Sequence, residues 1–196
     1  AVSGLITAIL IYYSKIIDYI NIEYYIPGVV FGIFSIIFFN THLKQYLKVT
    51  LSRSLLWIII SILAYLSAYF SVLFIAIYIG GMVYLNGDIS SELYMLIIFG
   101  AYGLIGGLIG SLFLSLAYRK VFSPQLNVVG SSVLTGTVLG GICFMIMYFM
   151  DGASGESFSI GADLVLYVVW QAGLLGVFGY LTSRINLQSV NQQIQV

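Results

Sequence analysis

Apolar residues run through this chain in long blocks, with no polar face repeating inside them. Six blocks reach or approach the ~20 residues a helix needs to cross a bilayer: 1–17, 24–41, 54–78, 93–118, 128–150 and 163–183. Stretches such as Leu56, Trp57, Ile58, Ile59, Ile60 and Tyr94, Met95, Leu96, Ile97, Ile98, Phe99 are apolar on every side. That continuity predicts helices in lipid. It excludes a transmembrane barrel, whose strands alternate polar and apolar positions over ~10 residues. The third block is long, with apolar character over residues 54–85, which is ~48 Å of helix at ~1.5 Å per residue. It reads either as one long tilted helix with an interfacial extension or as two short spans joined at a tight turn, and glycine could break it at Gly80 and Gly81. The first block lacks the basic n-region of a cleavable signal peptide and is expected to stay as a span.

Charge placement separates the alternatives. Lys44, Lys48 and Arg53 lie between the second and third blocks, Arg119 and Lys120 follow the fourth, and Arg184 follows the sixth. With one span per block these segments share a side, and the positive-inside rule makes that side cytoplasmic. Asp18 and Glu23, Asp88 and Glu92, and Asp151, Glu156 and Asp163 then all fall outside. Splitting the third block would carry Arg119, Lys120 and Arg184 outward. The expected architecture is therefore an all-α polytopic membrane protein of six transmembrane helices, both termini cytoplasmic, with a long tilted third helix. Lys15 is the exception, near the outer end of span one and close enough to Asp18 for a helical pair. Residues 1–183 form the transmembrane domain. Residues 184–196 form a polar tail, and Leu187, Val190 and Ile194 within it have the spacing of an interfacial helix.

Composition agrees: 61% of residues are hydrophobic and 7% charged, against ~25% charged in an ordinary soluble domain. Seven basic and seven acidic residues leave no net charge, so nothing neutralises nucleic-acid phosphates and no nucleic-acid partner is expected. A single cysteine, Cys143, excludes an internal disulfide scaffold. The lipid bilayer is the expected partner and a bacterial cytoplasmic membrane the expected location.

Glycine concentrates in the later spans: Gly100, Gly103, Gly106, Gly107 and Gly110, then Gly130, Gly136, Gly140 and Gly141, then Gly173, Gly176 and Gly179. Small residues let helix backbones approach closely in lipid, which predicts tight packing of helices four to six, or a face there for a partner subunit. Gly4 and Ala8 repeat the pattern more weakly in span one.

Catalytic chemistry is scarce. One histidine, His42, and one cysteine cannot build an ordinary zinc site, and no phosphate-binding loop is present. No cofactor or metal is expected. Gly152, Ala153, Ser154 and Gly155 resemble the GxSG around the serine of rhomboid intramembrane proteases, also six-span proteins. That family activates its serine with a histidine on a later span, and none follows His42.

The polar residues deepest in the spans suggest a binding site instead. Gln171 sits near the centre of span six beside Trp170, with Thr135 on span five and Tyr69 and Tyr102 at depth. Tyr65 is equally deep. Each polar group there needs a partner, supplied by a neutral or zwitterionic small molecule or by a bond across helices. Asp151, Glu156 and Asp163 would form an acidic outer mouth. The layout resembles the small six-span binding subunits of energy-coupling-factor vitamin importers, with small residues in span one. That resemblance implies solute capture inside a helical bundle. The expectation is a non-enzymatic protein handling a solute, as transporter, channel or membrane substrate-binding subunit, through a polar intramembrane cavity. The alternatives are a non-catalytic assembly, scaffold or sensor subunit of a larger complex, or a lipid-modifying enzyme.

Overall fold

In hydrocarbon every backbone N–H and C=O must be satisfied within the chain, and the apolar blocks do this as helices. The computed structural model describes residues 2–17, 25–86, 91–122, 128–152 and 160–194, with side chains at 2–13, 25–75, 77–78, 96–122, 128–150 and 166–184. Six α-helices make up the described structure: α1 (Val2–Ile17), α2 (Ile26–His42), α3 (Leu51–Asn86), α4 (Ser91–Val121), α5 (Val129–Met147) and α6 (Ile160–Ile194). A five-residue π-helical turn, Tyr148–Gly152, follows α5. Among the described residues no strand occurs.

Four segments are long and apolar enough to cross a membrane: Leu51–Ile75, Leu96–Val121, Val129–Met150 and Leu166–Arg184. Val2–Tyr13 and Ile26–His42 are apolar but shorter. α3 is a single 36-residue helix that runs on through Gly80 and Gly81, and its outer stripe of Leu55, Ile59, Leu63, Phe70, Phe74 and Ile77 is exposed. An apolar surface that long fits lipid, not water. α6 also runs unbroken to Ile194, so the polar tail continues the helix.

Local signals explain the ends. Pro27 sits in the first turn of α2, where its missing N–H costs little. Thr50 Oγ1 accepts from the backbone N–H of Arg53 and so caps the start of α3. The Arg53 guanidinium turns back to donate to the Lys48 carbonyl at 2.9 Å.

Each helix packs on its chain neighbours, α6 packs back on α1, and α2 touches α6 across the middle. The described helices thus form a closed ring in chain order. Between helices in lipid, close packing replaces hydrophobic transfer as the driving force. The α4–α5 seam is the tightest. A Cβ added to Gly103 or Gly107 would overlap the carbonyls of Gly140 and Gly136, and one on Gly136 would overlap Ser111. The other seams carry similar notches: Gly4 against the Val168 backbone, and Gly28 against Ile62 Cα at 2.5 Å from an added Cβ.

One half of the ring interior is solid. Phe31, Phe39, Trp57, Tyr118, Phe122 and Phe178 form a continuous aromatic core. The Tyr118 and Phe178 rings stack at 4.5 Å and 2°, and Phe39 meets Phe122 at 5.1 Å. The Trp57 N–H donates to Ser35 Oγ, whose own hydroxyl donates to the Gly32 carbonyl. Tyr118 donates to Thr182 Oγ1 at 2.6 Å, because the Thr182 hydroxyl is committed to the Phe178 carbonyl. These contacts bring the end of α2, the start of α3, the end of α4 and the Arg184 end of α6 together. Lys44, Lys48, Arg53, Arg119, Lys120 and Arg184 therefore gather at one end of the bundle.

Candidate functional site

The other half of the interior is not solid. A cavity of about 140 Å³ lies between α3, α4, α5 and α6. α3 contributes Tyr65, Ala68, Tyr69 and Val72, and α4 contributes Gly103, Gly106 and Gly107. Gly140 and Phe144 come from α5, and Leu166, Tyr167 and Trp170 from α6. Trp170 precedes Arg184 by 14 residues, ~21 Å of helix, so the cavity lies well away from the cations.

The sequence explains each wall. The glycines that let α4 meet α5 also leave the α4 side of the cavity at backbone level. Rings from α3 and α6 fill the space opposite. Trp170 is locked: its N–H donates to the Gly136 carbonyl at 3.1 Å, and Tyr65 packs edge-on against it at 5.3 Å and 83°. Phe31 lies 6.4 Å below Trp170 and 6.5 Å from Trp57, so the cavity floor is the top of the aromatic core. Among the described residues no Asp, Glu, Lys, Arg or His lines the cavity, and no three His, Cys, Asp or Glu side chains come together.

Of the residues expected to bind a solute, the structure brings Trp170 and Tyr69 to the cavity. Gln171 is fully buried outside the lining, and its Nε2 donates to Thr7 Oγ1 at 3.4 Å, joining α6 to α1. Thr7 in turn donates to the Ser3 carbonyl at 2.9 Å. Tyr102 packs with Phe99 at 6.4 Å, and the Thr135 methyl faces Gly173. The side chains of Asp151 and Asp163, and Glu156 altogether, lie outside the described residues.

Sequence reasoning left Tyr167 at the membrane boundary and the glycines to helix packing or a partner face, whereas Tyr167 and Gly103, Gly106, Gly107 and Gly140 line the cavity. It placed Tyr65 only at depth. The Tyr65 Oη lies against the Gln171 side chain, and Tyr65 Oη and Gln171 Oε1 are both closed off by the packed helices. Tyr65 lines the cavity, whereas Gln171 does not.

No protein-family model, curated protein or solved structure matches the chain.

Proposed function

We propose that this chain is a six-span protein of a bacterial cytoplasmic membrane that handles a small uncharged solute through the cavity inside its ring. The cation-bearing end is cytoplasmic, with both termini, and the acidic segments lie outside. The observation that carries this reading is an uncharged, aromatic-lined cavity walled by four helices and floored by packed rings. Solid packing beneath the cavity supports entry from the end opposite the cations. At 16 and 17 residues, α1 and α2 span ~24–26 Å, a shortfall that local bilayer thinning accommodates.

A docking or scaffold role has less behind it. Gly103, Gly107, Gly136 and Gly140 are all used up within the α4–α5 seam, which removes most of the glycine face a partner would need.

Two measurements test the proposal. With Cys143 replaced by alanine, a cysteine at Glu156 should react with an impermeant thiol reagent from outside, and one at Lys120 should not. Equal labelling of both overturns the six-span orientation. For the site, Val72→Phe projects a ring into the cavity. In lipid nanodiscs, at least one of benzene, phenol, glycerol and urea should bind the unaltered protein tenfold or more tighter than Val72→Phe. No difference for any of the four overturns the solute site.

A further inference from the structure

A second hollow, separate from the cavity, opens where the chain leaves α2. It measures about 540 Å³ and is lined by Thr41, His42, Lys44 and Gln45. One water occupies ~30 Å³, so the space admits a polar group of many atoms.

Its walls are held in place. The backbone N–H groups of Tyr46 and Leu47 both donate to the Leu43 carbonyl, at 2.8 and 2.9 Å, so the chain after α2 makes one tight turn. Leu43 and Leu47 are buried in the same core as Phe39 and Phe122, while Lys44 and Gln45 are exposed. The Arg53 guanidinium holds the far side of the loop at the Lys48 carbonyl.

The chemistry of the hollow suits an oxyanion. The Lys44 ammonium carries three donors, the Gln45 amide two, and the neutral His42 ring one. The Thr41 hydroxyl is not among them, because its proton is spent on carbonyls of α2. Lys48 and Arg53 add positive charge from the same loop and the start of α3. From Tyr24 to Gly87 the chain has no Asp or Glu, so α2, the loop and α3 contain no carboxylate to offset those cations.

Position chooses which oxyanion. Ile33 and Ile37 are 42% and 51% exposed, and Thr41, also exposed, follows at the same four-residue step. Residues so spaced form one line along a helix, here apolar until it reaches the hollow. An acyl chain fits the apolar part of that line and a phosphate its cationic end.

We propose that the hollow seats the headgroup of an anionic phospholipid, its phosphate held by Lys44 and Gln45 and one acyl chain lying along Ile33 and Ile37. A zwitterionic lipid offers the same phosphate but brings its own cation beside Lys44 and Lys48. That repulsion supplies the discrimination.

The test titrates phosphatidylglycerol and phosphatidylcholine of matched acyl chains into the full chain in detergent micelles and counts bound lipid by native mass spectrometry. The unaltered protein should bind one phosphatidylglycerol about fivefold tighter than phosphatidylcholine, the increment one basic residue supplies at a membrane surface. Lys44→Gln should erase that preference and Lys44→Arg should keep it. Lys120→Gln, at the same end but outside the hollow, should leave it within twofold. Melting temperatures without added lipid are measured alongside. Val72→Phe should bind phosphatidylglycerol as the unaltered protein does, so the lipid seat stands or falls separately from the solute cavity. Equal binding of the two lipids to the unaltered protein overturns the proposal. So does a loss in Lys120→Gln as large as in Lys44→Gln, which marks a diffuse basic surface. Displacement of phosphatidylglycerol by an equal concentration of glycerol 3-phosphate also overturns it, because the site then takes a free phosphate ester and not a lipid.

Discussion

Gly107→Ala should destabilise the folded protein by ~2–3 kcal/mol, the usual cost of forcing extra volume into a packed interior, whereas Gly176→Ala should stabilise it by ~0.5–1 kcal/mol. Both changes add one methyl group to a helical glycine in an apolar span. They differ in what the methyl meets. At Gly107 it runs into the Gly136 carbonyl and crowds Gly140 Cα, while at Gly176 nothing lies within 4 Å. The Gly107 neighbour is backbone, so no rotamer change relieves the overlap, and α4 must move off α5. In lipid that separation is not opposed by hydrophobic transfer, because lipid tails replace the lost contacts. What is lost is the close packing along Gly103, Gly107 and Ser111 against Gly136 and Gly140. Gly176 gains only the lower conformational freedom of alanine in the unfolded state. Unfolding by denaturing detergent in mixed micelles reads both variants on one scale. Equal unfolding midpoints would mean the seam is not what holds α4 to α5. The same glycines wall the cavity, so Gly107→Ala should also weaken solute binding in the fraction that remains folded.

How far the sequence reaches can be judged helix by helix. The blocks at 24–41 and 128–150 match α2 and α5 with its π-helical turn to within about two residues. Their boundaries are written in Pro27, in the basic loop after His42 and in the polar start of α5. Charge placement favoured one span over two in the third block, because two would reverse the side of Arg119, Lys120 and Arg184, but it left open a break at Gly80 and Gly81, through which α3 continues. Rotation about each helix axis was not legible. A surface helix shows its inner face by its polar outer face, but here lipid-facing and core-facing positions are equally apolar. Leu63 and Ala64 are neighbours of like polarity, and the first is exposed while the second is buried. The cavity is defined by those rotations: Tyr69 and Trp170 line it, while Tyr102 and Thr135 do not.

Polarity did not mark the cavity lining either. Gln171 stood out as the polar centre of its span, yet it faces α1 and bonds Thr7. A mid-membrane amide must find a partner whatever the protein does, so its presence marks a helix contact as readily as a ligand. Which neighbour supplies that partner is set by helix rotation, and it is visible only once the helices are placed.

Trp57→Ala should cost ~3–5 kcal/mol, the range for emptying a large aromatic site in a packed core. Ile59→Ala, two residues away on the same helix, should stay within ~0.5 kcal/mol, as surface changes do. Hydropathy alone gives no reason for the difference, since both lie in the same apolar run. Position does: Trp57 has no exposed surface, whereas Ile59 is 55% exposed on the lipid side. The Trp57 ring meets Phe31, Phe39, Tyr118, Phe122 and Phe178 at 5.5–6.5 Å, so one truncation strips contacts from α2, α3, α4 and α6 together. Lipid tails cannot fill the hole because it is closed inside the ring, and the lost dispersion contacts are not replaced. The hydrogen bond is the smaller part. Ser35 keeps its own donation to the Gly32 carbonyl, so Trp57→Phe, which retains most ring contacts, should cost only ~1 kcal/mol. The expected order of stability is Ile59→Ala above Trp57→Phe above Trp57→Ala. If Trp57→Ala unfolds at the same detergent fraction as Ile59→Ala, the aromatic core does not close the ring. The cavity would then lack the solid floor of packed rings on which the proposed solute site depends.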